Sequence, residues 1–354
     1  MTSILAIWIA FVAASTAVSQ PARPYPFTFD DVMAASMRSF FDFDSSKHPI
    51  ESNYPAAPAF PGIVSAINSQ INPRDLNATL TTFVSRFRNR IYDSVEGNQS
   101  CEWLVDRVEA LANQRSDLKL SVRRFHHPWG QASVLARIEP TNGAPHADIL
   151  IASAHQDSIN WRDRGTDDQM VAPGADDDGS GTVTILAALT ALLASPAWHP
   201  TRPVEFHWYS GEEEGLLGSH AVVRDYVANH VTVYGDLQLD MTGYFRPGTA
   251  PVVNLVDDFT TPTLMSFLDS LVQSYLDIPA VHGVCGYACT DHASWFEAGF
   301  PASHAGEARM IDTNPYMHSR EDTLDKIDFN HMAEFAKLVV AYVVELSQAP
   351  TSAE

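Results

Sequence analysis

Basic residues are scarce in this chain. Its 354 residues hold 22 Lys+Arg against 43 Asp+Glu, a formal net charge of −21. Nucleic acid and anionic membrane surfaces both select cationic patches, so neither is an expected partner. The surplus acid reads instead as solubility in an extracellular setting. Long apolar runs are also missing. The one run near the start, Ile4 to Ala14, is short for a membrane span, and no other segment approaches that length. No Gly-x-Ser-x-Gly stretch is present, which argues against a serine hydrolase elbow. There is no internal repeat, and no low-complexity tract beyond a Pro-rich start. Cysteine is limited to three residues. Cys285 and Cys289 flank Gly286-Tyr287-Ala288 and form a candidate disulfide if the compartment is oxidising; two separate buried thiols are the alternative. Cys101 opens the amphipathic stretch Cys101–Leu111 and is expected to be buried.

The start of the chain supports such a compartment. The Ile4–Ala14 run is followed by small residues, with Ala17 and Ser19 placed as at a cleavage site before Gln20, so residues 1–19 read as a secretory signal peptide. Two acceptor sequons, Asn77-Ala78-Thr79 and Asn98-Gln99-Ser100, agree with secretion. Residues 20–60 are rich in Pro and aromatic side chains and read as a pro-segment before the first strong helix pattern. The mature protein, residues 61–354, is expected to be a soluble, secreted monomer.

With 45% hydrophobic residues, that remainder can bury a full core. From Gly62 onward, apolar residues recur at helical steps: Ile63, Ile67, Ile71, then Leu76, Leu80, Phe83 and Phe87. Strand-like runs follow at Ser133–Ile138, Ala147–Ala154, Val204–Tyr209, Leu237–Leu239 and Val252–Val256. Helical patterns alternate with them at Gly181–Ala194, Leu264–Tyr275 and Phe329–Ser347. The alternation implies a single α/β domain whose mixed, mostly parallel sheet has helices on both faces.

Sheets of this kind bind ligands beyond the carboxyl ends of their strands. Candidate ligands stand at three such ends. His155 follows one run, Glu212 and Glu213 follow another, and Asp240 ends a third. Two loops add Asp176-Asp177-Asp178, between Gly174 and Gly179, and Met317-His318. Imidazole and carboxylate together suit zinc. Two metals close together need a bridging group, and a carboxylate serves. Asp177 is the best placed of its triplet, since the flanking glycines permit a sharp backbone path. Asp157, two residues after His155, is placed to accept its second ring N–H. Of the triple Glu, one can bind metal while its neighbour handles a proton. Two histidines, His292 and His304, are undecided; the remaining ones read as surface or core residues.

These segments resemble the secreted co-catalytic di-zinc aminopeptidases of the leucyl aminopeptidase type. The resemblance spans roughly residues 61–347. It is carried by Ala172-Pro173-Gly174-Ala175-Asp176-Asp177-Asp178, Gly211-Glu212-Glu213-Glu214-Gly215-Leu216-Leu217-Gly218-Ser219, Leu239-Asp240-Met241-Thr242 and the stretch from Cys285 through Tyr287 and Cys289 to Trp295. It implies two zinc ions per chain, bridged by Asp177 and a water or hydroxide. His155 and Asp240 would complete one ion, and Glu213 and His318 the other. Glu212 would act as general base and then acid, Asp157 would orient His155, and Tyr287 would bond the oxyanion. Cys285 would pair with Cys289. Substrates would be peptides with a free N-terminus. Met241, Met317, Tyr287 and the Cys285–Cys289 loop suggest an apolar pocket favouring Leu, Met or Phe. Gln156, between His155 and Asp157, departs from the usual apolar residue. A single-zinc glutaminyl-cyclase-like acyltransferase and a peptidase-like binding domain are rival readings, and the complete ligand set argues against both.

Overall fold

The computed structural model describes residues 53–112, 114–140, 148–163, 166 and 169–348. The expected signal peptide and most of the expected pro-segment lie outside the described residues. Three helices open the fold: α1 (Pro61–Asn68), α2 (Pro73–Arg86) and α3 (Val95–Leu111). Local chemistry sets where they begin. Asn72 accepts from the Arg74 N–H ahead of a first-turn Pro73, and Ser94 accepts from the Gly97 N–H.

Next come β1 (Lys119–Phe125), β2 (Ser133–Glu139), β3 (Ile149–His155), α4 (Gly179–Ala194), β4 (Val204–Tyr209), α5 (Leu217–Ala228) and β5 (Val233–Leu239). The chain closes with β6 (Val253–Val256), α6 (Pro262–Tyr275), β7 (Ala280–Gly283), α7 (His292–Glu297), β8 (Ala302–Gly306) and α8 (Phe329–Ser347). The strands form one sheet in the order β1-β2-β4-β3-β5-β8-β6-β7. β3 runs parallel to β4 and β5, β5 to β8, and β6 to β7, whereas β1/β2, β2/β4 and β6/β8 are antiparallel.

Every residue of β3 and β4 is buried, as expected of central strands covered on both faces. The pleat splits β3 between two cores. Leu150, Ala152 and Ala154 join the large core beneath α4 and α8, while Ile149 and Ile151 join a smaller one with Val222, Val223 and Tyr226 of α5 and Trp295 of α7. Helices α4 and α8 are buried along most of their length. Each fully buried Leu, Val or Phe there is worth roughly 1.5–3 kcal/mol. Because β3, β4, β5 and β8 are parallel, their carboxyl ends share one edge of the sheet. His155, Tyr209, Leu239 and Gly306 all end there.

The sheet is larger than the apolar runs suggest. Strand β5 starts four residues before Leu237, and β1, β7 and β8 were not foreseen. β1 reads Lys-Leu-Ser-Val-Arg-Arg-Phe and is largely solvent-facing; its pairing with β2, from Lys119 opposite Glu139 to Phe125 opposite Ser133, makes it a strand. Helices α5 and α7 were also not foreseen. Residues 53–60, within the expected pro-segment, pack on the body. The Tyr54 hydroxyl donates to the Tyr234 carbonyl at 2.6 Å, and the Ala59 and Phe60 N–H groups donate to Glu345 at 2.6 and 2.9 Å.

Candidate metal centre

The expected ligands converge at the shared strand edge. His155 ends β3 and is fully buried. Asp177 lies in the loop before α4, which the Gly174 backbone opens at φ +50°; a Cβ there would approach the Asp177 carbonyl oxygen to 2.4 Å. Glu213 follows β4, Asp240 follows β5, and His318 lies in the loop before α8.

One carboxylate faces both imidazoles. Asp177 Oδ1 is 3.2 Å from His155 Nε2, and Asp177 Oδ2 is 3.0 Å from His318 Nε2. On one side His155 Nε2 is 3.7 Å from Asp240 Oδ1; on the other His318 Nε2 is 3.2 Å from Glu213 Oε2. Ligand atoms of Asp177, Glu213 and His318 all fall within 4.8 Å of one another, and so do those of His155, Asp178 and Asp240. Asp178 is otherwise engaged. Its oxygens accept from the backbone N–H groups of His155, Gly181 and Met241 at 3.2, 2.8 and 3.1 Å. It caps α4 and ties that helix to the ends of β3 and β5, which leaves Asp177 to reach both sets.

The donor set fits zinc. Both ring nitrogens of His155 and Glu213 Oε1 are buried and make no hydrogen bond among the described residues. Such atoms are costly unless something binds them. Nitrogen and oxygen ligands in two adjoining sets suit two such ions. The charges are interdependent. Burial drives Glu213 well above the usual carboxylate range, with Asp177 adding to the rise. Asp177 itself is held far below it, because His318 and His155 outweigh the effect of burial.

Asp157 lies beside His155, with Oδ1 at 3.5 Å from Nδ1. It also accepts from the Glu212 and Glu213 N–H groups at 3.1 and 3.2 Å. One carboxylate thus stands beside His155 and holds the backbone of the paired glutamates. Glu212 is half-buried and lines a cavity of about 330 Å³ together with Asp177, Glu213, Asp240, His318, Met241, Met317 and Tyr287. Burial and the nearby carboxylates Glu212 and Asp240 push the Tyr287 phenol up to about 12. Cys285 and Cys289 are bridged, and the free Cys101 is buried. Three non-glycine residues on this rim, Leu216, Met241 and His318, have φ of 59°, 58° and 55°. Left-handed backbone at such residues costs energy and gathers at functional sites. Both sequons lie on exposed helix positions, Asn77 on α2 and Asn98 on α3.

Two supports were missed in the sequence. Arg90 is fully buried and donates to the carbonyls of Gln156, Pro173 and Gly174 at 2.8, 2.6 and 2.8 Å. Its guanidinium lies 4.7 Å from the Phe83 ring centre, and burial lowers its pKa to about 10. Asp322 accepts from the Asp176 and Asp177 N–H groups at 3.1 and 3.0 Å, and Asn314 donates to Asp176 at 2.8 Å. Nothing local marks Arg90, since its role is to fill backbone acceptors 66 to 84 residues away. Asp322 stands four residues after His318, a proximity that offered a weak clue.

Comparison with known proteins points the same way. The family model described as Peptidase family M28 matches residues 133–343. Leucine aminopeptidase 1 of Aspergillus fumigatus is 39% identical over 306 residues, covering 84% of this chain and 77% of its own length. The solved structure of the LapA aminopeptidase of Legionella pneumophila superposes with a TM-score of 0.74 at 28% identity, over 96% of this chain and 81% of that one. A zinc aminopeptidase from Bacillus subtilis shares the fold, with a TM-score of 0.63 at 15% identity over 80% of this chain and 97% of that one. With the fold, the two ligand sets and these relatives in agreement, the chain belongs to peptidase family M28, as a zinc-dependent aminopeptidase.

Proposed function

We propose that the enzyme removes the first residue of peptides using two zinc ions. His155 and Asp240 would hold one ion, Glu213 and His318 the other, and Asp177 would bridge them. When bound, the ions supply an acidified water and a polarised scissile carbonyl. The observation that carries this reading is the Asp177 carboxylate, whose two oxygens lie 3.2 and 3.0 Å from two imidazoles of different ligand sets. A single-metal transferase needs only one set, and here both are complete.

Glu212 takes the proton of the attacking water and gives it to the leaving amine. Its surroundings suit a group that must hold a proton for part of the cycle. Burial raises its pKa well above the usual carboxylate range; His155 opposes the rise, and Asp240, Asp291 and Glu213 add to it. Asp157 fixes Glu212 through the backbone N–H. The Tyr287 hydroxyl stays protonated at neutral pH and can donate to the developing oxyanion. Met241, Met317, Leu216 and the bridged Cys285–Cys289 loop form apolar walls for the aliphatic part of the first side chain, so Leu-type residues are accepted. The free α-amine of the substrate sits among the carboxylates, which limits cleavage to the N-terminal residue. Residues 1–19 direct secretion, residues 20–60 are removed on maturation, Asn77 and Asn98 carry glycans, and the mature protein works as a monomer.

The test is Glu212→Ala. This variant should keep two zinc per chain and lose on the order of 10²- to 10⁴-fold in Leu-p-nitroanilide turnover. Turnover at the wild-type rate would overturn the assignment of the base.

A further inference from the structure

The cavity beside the metal ligands is apolar at its mouth and polar at its inner wall. That wall is made by the antiparallel pair β6 and β8, in which Asn254 lies opposite Gly306 and Leu255 opposite Ala305. Side chains alternate along a strand, so Asn254 and Val256 share a face of β6, and His304 and Gly306 share the same face of β8. All four line the cavity, next to Glu307. Leu255 and Ala305 point the other way, into the large core. Gly306 adds no side chain to this face, and a Cβ there would come within 3.5 Å of His304 Nε2.

Asn254 is 4% exposed and His304 is 6% exposed. Asn254 Oδ1 hydrogen-bonds to nothing among the described residues, and the His304 ring has only the Asp240 backbone carbonyl beside it. The His304 ring reaches within 4.8 Å of the bridged sulfurs of Cys285 and Cys289, which places it beneath the loop that carries Tyr287. Glu307 adds a carboxyl whose Oε2 accepts from the Tyr244 N–H at 2.5 Å. Buried polar atoms are paired as a rule, so these await a partner that enters the cavity. An aliphatic residue would leave them unpaired. A side chain with an aliphatic stem and a donor tip would meet Met241 and Met317 with the stem and the inner wall with the tip.

Building on the aminopeptidase reading above, we propose that Asn254 and His304 make this pocket selective for an N-terminal residue of the lysine type. Its ammonium offers three donors and no acceptor. Asn254 Oδ1, a ring nitrogen of His304 and the Glu307 carboxyl supply the acceptors.

Lysine and norleucine p-nitroanilides share the same four-carbon stem and differ by the amine, so together they isolate the tip. The zinc-loaded mature enzyme should favour lysine in kcat/KM by at least about tenfold, since a site built for hydrogen bonds rejects an analogue that lacks them. Asn254→Leu should lower kcat/KM for lysine about tenfold and leave norleucine unchanged or improved. Norleucine cleaved as well as lysine by the wild type would overturn the proposal. An equal loss on both substrates in Asn254→Leu would also overturn it, by showing a merely structural role. Either result leaves the aminopeptidase reading standing. Release from neither of these substrates nor from Leu-p-nitroanilide would overturn that reading and the proposal together.

Discussion

Strand β4 carries one buried ionisable cluster along its length and delivers another at its end. Along the strand, Glu205 accepts from His207 Nε2 at 2.6 Å, from Arg137 Nη1 at 2.8 Å and from the Tyr226 hydroxyl. His207 Nδ1 meets the Tyr209 hydroxyl at 2.9 Å, and that hydroxyl accepts from Trp295 Nε1 at 2.7 Å. Each ring nitrogen and each carboxylate oxygen has a protein partner. At the strand end the pattern reverses. Both His155 ring nitrogens and Glu213 Oε1 lack hydrogen bonds among the described residues, and carboxylates crowd together. Composition alone does not separate the two clusters, since both are built from His and carboxylate. Satisfaction does: the first closes on itself and stabilises, whereas the second is complete only with cations.

The comparison is sharpened first by Glu205→Gln. Burial would raise this carboxyl, yet His207, Tyr226 and Arg137 bring it down from 4.5 to about 2. A depressed pKa contributes stability above the ordinary value and loses it as pH falls through the folded one. Wild type should therefore exceed Glu205→Gln by about 3 kcal/mol at pH 7 in urea unfolding. The gap should close as the pH falls from about 4.5 towards 2. Zinc content and turnover per folded molecule should be unchanged. A gap independent of pH would show that the charge of Glu205 contributes nothing.

The smaller effect belongs to the metal side. Asp157→Asn keeps the shape but weakens the hold on His155 and on the Glu212 and Glu213 backbone. It should cost about 10- to 100-fold in zinc affinity or in kcat/KM. Unfolding of the zinc-free protein should be little altered. A variant with wild-type zinc affinity and activity would break the distinction between the clusters at this residue.

Much of the candidate centre was legible because its expected ligands sit where short local signals coincide. His155, Glu213 and Asp240 each follow an apolar run, and parallel strands must end on one edge. Gly174 marks the turn that presents Asp177. Arg90 was not legible, because it acts on backbone carbonyls far along the chain and no local pattern records that. Strand β8 was missed for a related reason. Ala-Ser-His-Ala-Gly has little β character of its own, and its place comes from pairing with β5 and β6. With β8 unseen, the pocket read as apolar from Met241, Met317, Tyr287 and the Cys285–Cys289 loop, and the polar wall of Asn254 and His304 stayed hidden.

The most direct test of the central claim is a zinc titration of the chelated mature protein, with bound metal and Leu-p-nitroanilide hydrolysis followed together. Saturation at two zinc per chain, with activity returning as the sites fill and Asp177→Asn losing both ions, is the expected result. Full activity with one ion bound, or two ions retained tightly in Asp177→Asn, would contradict the bridged pair.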